Sequence, residues 1–279
     1  MPLILPKQRG TRREANFSGQ PATTWGTALT SHSVAHQYPS TFTELFASTA
    51  FDTDFVTIQF HSNFVAATDT DSIVSIYAGA GGSEQVVIAD LLAGWTNIFD
   101  GQGLNTKTYG FPLRIPAGTR LSARHRSVRT SVAVECMVEL FGGGAGHHWV
   151  GTRVEGVGLG AAGSASGGTL VTPGTVSEGT FTTIGAATVY DWGYVVPMLG
   201  GNTDVTMISD IISADLGVGG VALLGLDEWL FYAYTTETAG PVRGQTGRYA
   251  HIPAGTTLQL RAQAITSAEA KDFAIYGVA

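Results

Sequence analysis

The sequence predicts an all-β protein: two tandem antiparallel β-sandwiches of jelly-roll type from an internal duplication, preceded by an extended N-terminal arm. The 37 Gly and 10 Pro among 279 residues mark many turns. Between them lie short runs of β-branched and aromatic residues, which indicate strands. Two sequence blocks occur twice, in the same order. The 44% hydrophobic content excludes a disordered chain, and the single Cys136 excludes an intramolecular disulfide.

Residues 1–22 are predicted to be the arm because they show neither helical nor strand periodicity. The apolar Leu3-Ile4-Leu5 lies between two prolines and is too short for a secretory signal. The arm is either a disordered tail or a segment that orders across a neighbouring subunit. Its basic residues are Lys7, Arg9, Arg12 and Arg13. Four basic residues in a chain of net charge −7 do not predict nucleic-acid binding. The sequence has no apolar stretch of about 18 residues, so it does not predict membrane insertion.

The internal repeat sets the domain bounds. Thr41–Asp52 matches Thr180–Asp191 with six of twelve residues identical, and Ile115–Leu121 matches Ile252–Leu258 at nearly the same offset. Two separated blocks in the same order indicate a tandem duplication. We expect copy one at residues 23–141, a flexible glycine-rich linker at 142–150, and copy two at 151–279.

Alternating apolar residues predict strands at 55–60 and 72–77, whereas 85–92 is either a helical turn or a strand. In each Ile-Pro-Ala-Gly-Thr block, the proline is expected at the second position of a turn and the glycine provides the reversal. The strand after Gly118 places Leu121, Ala123 and His125 inward. Its other face, which carries arginines, is therefore expected to be wet.

No set of residues predicts catalysis, a cofactor or a metal. Of the seven histidines, His32 and His36 have i, i+4 spacing but no helix signal and no acidic third ligand, and the adjacent His147 and His148 point to opposite sides. No glycine-rich loop has the form of a phosphate-binding loop. Cys136 is expected inward as a small hydrophobe. The carboxylates of Asp52, Asp54, Asp69 and Asp71 leave two readings open, calcium ligation or turn capping.

Arginines concentrate in copy one. Arg114, Arg120, Arg124 and Arg126 lie close together in sequence, and three of them share one strand face. This row is a solvated face, a subunit interface or a site for an anionic glycan. With Lys7, Arg9, Arg12 and Arg13 it forms the set of candidate interface residues.

The arm, the duplicated blocks and the Gly/Thr/Ser/Ala-rich loops give the chain a build that resembles accessory proteins of tailed-bacteriophage virions, such as capsid decoration proteins, head spikes and tail adaptors. The resemblance implies a non-enzymatic structural protein, located in the virion, whose partners are copies of itself and other virion proteins. It also implies a symmetric oligomer in which copy one docks and copy two projects. Only 13% of the residues are charged, which independently favours association.

A carbohydrate-binding module or host-recognition adhesin is the alternative. In that case Trp95, Trp149 or Trp229 would stack on a host-surface glycan. Core packing is the competing interpretation of each tryptophan, since Trp192 aligns with Phe55 and suggests a shared aromatic core position.

Overall fold

The structure is a computed structural model that describes residues 12–17, 26–61, 72–94, 106–143, 149–159, 168–199, 210–233, 238–241, 247–266, 268 and 270–279. The regular structure of these residues is entirely β-strand, which confirms the all-β prediction. Residues 85–92, for which a helical turn was the other option, lie within a strand. The strands are β1 (Arg12–Ala15), β2 (Thr27–Thr30), β3 (Thr43–Phe46), β4 (Phe55–His61), β5 (Ser72–Ala78), β6 (Gln85–Gly94), β7 (Thr106–Phe111), β8 (Leu121–Ser127), β9 (Ala133–Gly142), β10 (Val154–Val157), β11 (Thr169–Val171), β12 (Thr182–Thr183), β13 (Trp192–Leu199), β14 (Asp210–Val218), β15 (Val221–Ala222), β16 (Trp229–Ala233), β17 (Thr238–Pro241), β18 (Arg248–Ile252), β19 (Gln259–Ala264) and β20 (Lys271–Val278).

These strands form three sheets. The first sheet has the order β1-β9-β4-β7, with β2 also on β9. The middle sheet has nine strands, with the order β18-β13-β20-β10-β6-β5-β8-β3 and β11 on β20. The third sheet has the order β12-β19-β14-β16-β17, with β15 on β14. All described pairs of strands are antiparallel except β10 with β6, where Val154 lies opposite Ile88.

The pairing pattern of copy one recurs in copy two. In the first sheet β1 and β2 both pair with β9, and the order continues through β4 to β7. In copy two β10 and β11 both pair with β20, and the order continues through β13 to β18. Likewise the series β3-β8-β5-β6 corresponds to β12-β19-β14-β16. We retain the duplication as a proposal, which these repeated pairings support.

The two copies share one sheet, and one of the two hydrophobic clusters of the described residues contains side chains of both copies. The middle sheet contains four strands of copy one, and β10 joins them to the copy-two strands. On one face of β20, the ring of Tyr276 packs 5.4 Å from that of Tyr109 in the first sheet; on its other face, Phe273 packs 5.4 Å from Phe231 in the third sheet. Every residue of β20 is therefore buried, in place of the usual alternation. The predicted linker is thus not the sole connection between the copies, although its residues 144–148 lie outside the described part.

Part of the predicted arm, Arg12–Ala15, forms a strand although its sequence shows no strand periodicity. This segment is β1 and pairs with β9 along four residues. Its Glu14 carboxylate accepts the Ala50 backbone N–H at 2.8 Å, and in copy two Glu155 of β10 accepts the equivalent Val189 N–H at 2.8 Å. The sequence carries a matching signal, because Gly-Thr-Arg-X-Glu occurs at both 10–14 and 151–155.

The two repeated sequence blocks of copy one meet in space and form a clamp around a turn. The Thr49 hydroxyl donates to the Pro116 carbonyl at 2.8 Å and accepts the Thr119 N–H at 3.1 Å. The Asp52 carboxylate accepts the Ala117 N–H at 2.7 Å. Asp52 therefore caps a turn, as one of its two predicted roles required. The Thr119 N–H also reaches the Pro116 carbonyl at 3.3 Å, so the proline occupies the first turn position, and its prediction at the second position is wrong.

Copy two repeats this clamp bond for bond. The Thr188 hydroxyl donates to the Pro253 carbonyl at 2.9 Å and accepts the Thr256 N–H at 3.2 Å, and Asp191 accepts the Ala254 N–H at 2.7 Å. The identical residues of the repeat thus serve folding: they hold together loops that are distant in sequence.

Replacing either clamp threonine with valine is expected to lower the free energy of unfolding by about 1–2 kcal/mol. Thr49 and Thr188 are buried, and valine at either position would remove two hydrogen bonds of the clamp. Urea unfolding of Thr49→Val and Thr188→Val should give similar losses, because the bonds are the same. The exposed Thr41→Val is the control, with a change within about 0.5 kcal/mol. A loss in one copy only would show that the clamps are not equivalent.

Candidate interaction surface

The face of copy one that carries the arginine row is covered by the chain itself. The guanidinium of Arg124 lies 4.5 Å from the ring centroid of Phe42, 4.7 Å from that of Tyr77 and 5.3 Å from that of Tyr38. Ser122, between the arginines on the same strand, is fully buried. The prediction of a wet face along β8 is therefore wrong.

Arg126 belongs to the same buried cluster. Its guanidinium lies 5.3 Å from the Tyr38 ring centroid and 3.9 Å from the Asp90 carboxylate. The Tyr38 hydroxyl donates to Asp90 at 2.5 Å and lies 2.9 Å from the Ser75 hydroxyl. Burial is the larger cause that raises the pKa of Tyr38 well above its ordinary value, and the neighbouring Asp90 charge is the second. The phenol therefore stays neutral and donates its hydrogen bond to Asp90. These contacts hold the loop before β3 against the sheet.

The other predicted interface residues are distributed around copy one. Arg120 bridges the carboxylates of Glu44 and Glu84, each at 2.9 Å, and Arg13 donates from Nε to Glu139 at 2.8 Å. Arg12 and Arg114 are exposed. The structure does not bring these side chains together into one basic surface. Lys7 and Arg9 lie outside the described residues.

His125, predicted inward, is fully buried beneath this cluster. Its Nδ1 lies 2.9 Å from the Leu29 carbonyl and its Nε2 lies 2.9 Å from the Ser72 hydroxyl. A carbonyl only accepts, so Nδ1 carries the proton and Nε2 accepts from the serine. Burial lowers the pKa of His125 from 6.5 to about 4.

Stability is therefore expected to fall as the pH drops from about 6.5 to about 4. In this range the unfolded chain binds a proton at His125 that the folded chain does not bind, so the free energy of unfolding decreases with decreasing pH. Urea unfolding at pH 7 and pH 5 should show a smaller pH effect in His125→Gln than in the parent. The exposed His251→Gln should keep the parent pH effect. Equal pH effects in all three proteins would contradict this assignment.

Copy two keeps only part of the cluster. The Arg261 guanidinium lies 4.8 Å from the ring centroid of Phe181, as Arg124 lies over Phe42, and it pairs with Asp215 at 2.8 Å and with Glu178. The hydrogen bond to Asp215 raises the pKa of Glu178. Burial of Asp215 by itself would raise the pKa of this carboxyl group. Its hydrogen bonds with Glu178, the Glu228 N–H and Arg261 have the larger effect and lower the pKa.

The corresponding outer face of copy two is open. Leu230 of β16 pairs directly with Ser213 of β14, which pairs with Gln263 of β19. Beside this row, Ile211 is 41% exposed, Leu230 38% and Ile265 66%. A groove of about 340 Å³ lies here, and we call its lining residues the open face: Thr175, Ile211, Ser213, Leu230, Gln263, Ala264 and Ile265.

Loop length explains the difference between the two copies. Between the aligned residues Thr30 and Phe42 copy one has eleven residues, among them Tyr38, which covers its sheet. Between Thr172 and Phe181 copy two has eight residues and no aromatic one. Sequence reasoning missed the open face, although Ile265 continues the outward parity of Arg261 and Gln263 and was a usable signal.

The tryptophans proposed to stack on glycans are not displayed together. Trp229 is 1% exposed, so its indole has no open face for a sugar, and that prediction is wrong. Trp149 is partly buried against the core. Its ring packs on the backbone of Gly193, in the space that a side chain at this position would occupy. Trp192, predicted as core, is fully buried. Trp95 lies outside the described residues.

Within the described residues, no cluster of three or more His, Cys, Asp or Glu side chains could hold a metal ion, and no helix is long and apolar enough to cross a membrane. Asp69 and Asp71, one of the two pairs considered for calcium, lie outside them. A second groove, of about 380 Å³, is lined by Arg12, Phe51, Asp52 and Gly143.

Comparison with known proteins identifies no family. No protein-family model and no curated protein matches the chain. Among solved structures it is similar to PNGF-II, with a TM-score of 0.33 and 9% identity over 90% of this chain; the chain spans 65% of the length of PNGF-II. It is also similar to the N-terminal CBM22-1-CBM22-2 tandem domain of Xyn10C from Paenibacillus barcinonensis, with a TM-score of 0.22, 13% identity, and coverage of 97% of this chain and 92% of that one. At these scores the similarities carry no functional argument.

Proposed function

We propose that this chain is a non-enzymatic structural protein of a tailed-phage virion that assembles as a symmetric oligomer on the capsid or tail. The observation that carries the assembly part is the open face of copy two, where Ile211, Leu230 and Ile265 are exposed on a sheet. The virion part depends on the resemblance of the arm, the repeated blocks and the small-residue loops to phage accessory proteins.

Three further features support this proposal. The open face has no charged residue in its lining, so two copies can approach it without like-charge repulsion. Only 13% of all residues are charged, which favours association. The shared middle sheet makes the two copies one stiff unit, which suits a structural component.

The proposal changes which half is expected to anchor the protein. The sequence predicts docking through copy one, with the arginine row as one candidate interface, but Arg120, Arg124 and Arg126 contact groups of their own chain. Copy two offers the exposed apolar contact instead. We therefore place the assembly contact on copy two.

The test is association with particles. A tagged chain expressed in a host that produces tailed-phage particles should band with them in a density gradient, and Ile265→Asp should weaken this association at least tenfold. Val86→Asp is the matched control, because Val86 is 47% exposed on copy one. Absence of the parent chain from the particles would contradict the virion assignment.

A carbohydrate-binding module remains the second candidate. The hydroxyl and amide groups of Thr175, Ser213 and Gln263 lie beside aliphatic side chains on the open face, a mixture that suits the polar and apolar parts of a sugar. Saturable binding on a glycan array by a chain that does not band with particles would replace the virion proposal with this one.

A further inference from the structure

We propose that the open face of copy two is the docking site for the N-terminal arm of another copy, with Leu3-Ile4-Leu5 seated on Ile211, Leu230 and Ile265. This inference rests on the proposed function, because it names the contact through which the oligomer assembles.

The size and chemistry of the open face suit a short apolar segment. Its three exposed aliphatic side chains surround a groove of about 340 Å³, near the lower end of the range of roughly 300–1,000 Å³ for small binding pockets. A folded partner needs a larger complementary area, about 800 Å² on each side. Three consecutive aliphatic residues of an extended chain match this small site better.

The arm has the composition of such a segment. Leu3-Ile4-Leu5 is flanked by Pro2 and Pro6, which restrict the backbone and lower the entropy lost on docking. In copy one the same kind of sheet face is already covered by a loop of its own chain through Tyr38. The arm would cover the equivalent face of copy two, whose own loop is too short and has no ring.

The charges on the arm and around the open face favour one orientation of the docked segment. Lys7 and Arg9 follow the apolar segment. On the protein, the partly exposed Glu178 lies at the border of the open face, where its carboxylate contacts Arg261, and Arg261 also pairs with the buried Asp215. The basic end of the arm therefore approaches an acidic border, which favours one orientation of the segment over the reverse.

The geometry places the arm on another molecule. Leu5 lies seven residues before Arg12, where β1 begins, so this tether spans at most about 25 Å. β1 belongs to the first sheet, whereas the open face is on the outer side of the third sheet, and these two sheets pack on opposite faces of β20. Because the tether is short and the two surfaces lie on opposite sides of the middle sheet, we assign the arm to the open face of another molecule.

A complementation experiment tests this arrangement. Light scattering after gel filtration compares the full chain, a deletion of residues 1–9, Ile265→Asp, and the control Val86→Asp. We expect the full chain and the control to be oligomeric, and the deletion and Ile265→Asp to be monomeric. An equal mixture of these two monomers should form a heterodimer, because one supplies the face and the other the arm.

Each contrary result has its own meaning. An oligomer that survives the deletion overturns the arm contact and leaves the proposed function standing, whereas a monomeric full chain overturns the proposed oligomer itself. A mixture that stays monomeric overturns docking between copies. A fluorescent peptide of residues 1–9 should bind the deletion variant saturably, at least tenfold more tightly than a scrambled peptide. Equal binding to the deletion variant carrying Ile265→Asp would overturn the assigned face.

Discussion

Gly277→Ala is expected to lower the free energy of unfolding by about 3 kcal/mol, because the added methyl group has no space. Gly277 lies on β20, in the centre of the middle sheet, and a Cβ there would overlap the indole of Trp192. The indole is fully buried, and its Nε1 donates to Glu155 at 2.7 Å. Neither the ring nor the strand can move away without disturbing the core.

Urea unfolding with a tryptophan fluorescence readout measures this loss. Gly81→Ala is the matched control: Gly81 lies in an exposed loop, has no heavy atom within 4 Å of its added Cβ, and should change stability by no more than about 0.5 kcal/mol. Similar stability losses in the two variants would mean that Trp192 does not lie against Gly277.

Trp229→Ala is expected to lower the free energy of unfolding by about 3–5 kcal/mol, because it leaves a large cavity in the core of copy two. The ring is 1% exposed, donates from Nε1 to the Leu226 carbonyl at 3.2 Å, and is covered by the Arg248 guanidinium at 4.4 Å from its centroid. The more conservative Trp229→Phe should lose about half as much.

This variant also separates two interpretations of the tryptophan. If Trp229 stacked on a glycan from the surface, its removal would abolish sugar binding with little loss of stability. The structure predicts the opposite, a large stability loss. A Trp229→Ala protein as stable as its parent would contradict the buried position.

The alternation of side chains predicted individual strands well and their outer faces poorly. Residues 55–60 and 72–77 are strands, and Leu121 and Ala123 of β8 are buried as expected. On β8, however, the residues assigned to solvent are covered, because Tyr38 and Phe42 from an earlier loop pack over them. Parity identifies which residues share a face but does not show what another part of the chain places on that face.

The repeated sequence blocks mark structural contacts as well as domain bounds. Their identical residues, such as Thr49 and Thr188, mark the clamp in both copies, yet their hydrogen bonds are visible only once the loops are in place. The match of residues 10–14 with 151–155 is a sequence signal for the strand that begins at Arg12, but it is short and has one variable position.

The amino-acid sequence by itself determined the all-β class, the turn at each Ile-Pro-Ala-Gly-Thr block and the assignment of Trp192 to the core, since these depend on local backbone preferences and on hydrophobicity. Only the tertiary structure decided that the copies share a sheet through β10 and β6, that the arginine row is covered, and that copy two keeps an open face. These features arise from contacts between residues far apart in the chain. The loop that carries Tyr38 over the face of copy one is matched in copy two by a loop three residues shorter and without an aromatic side chain.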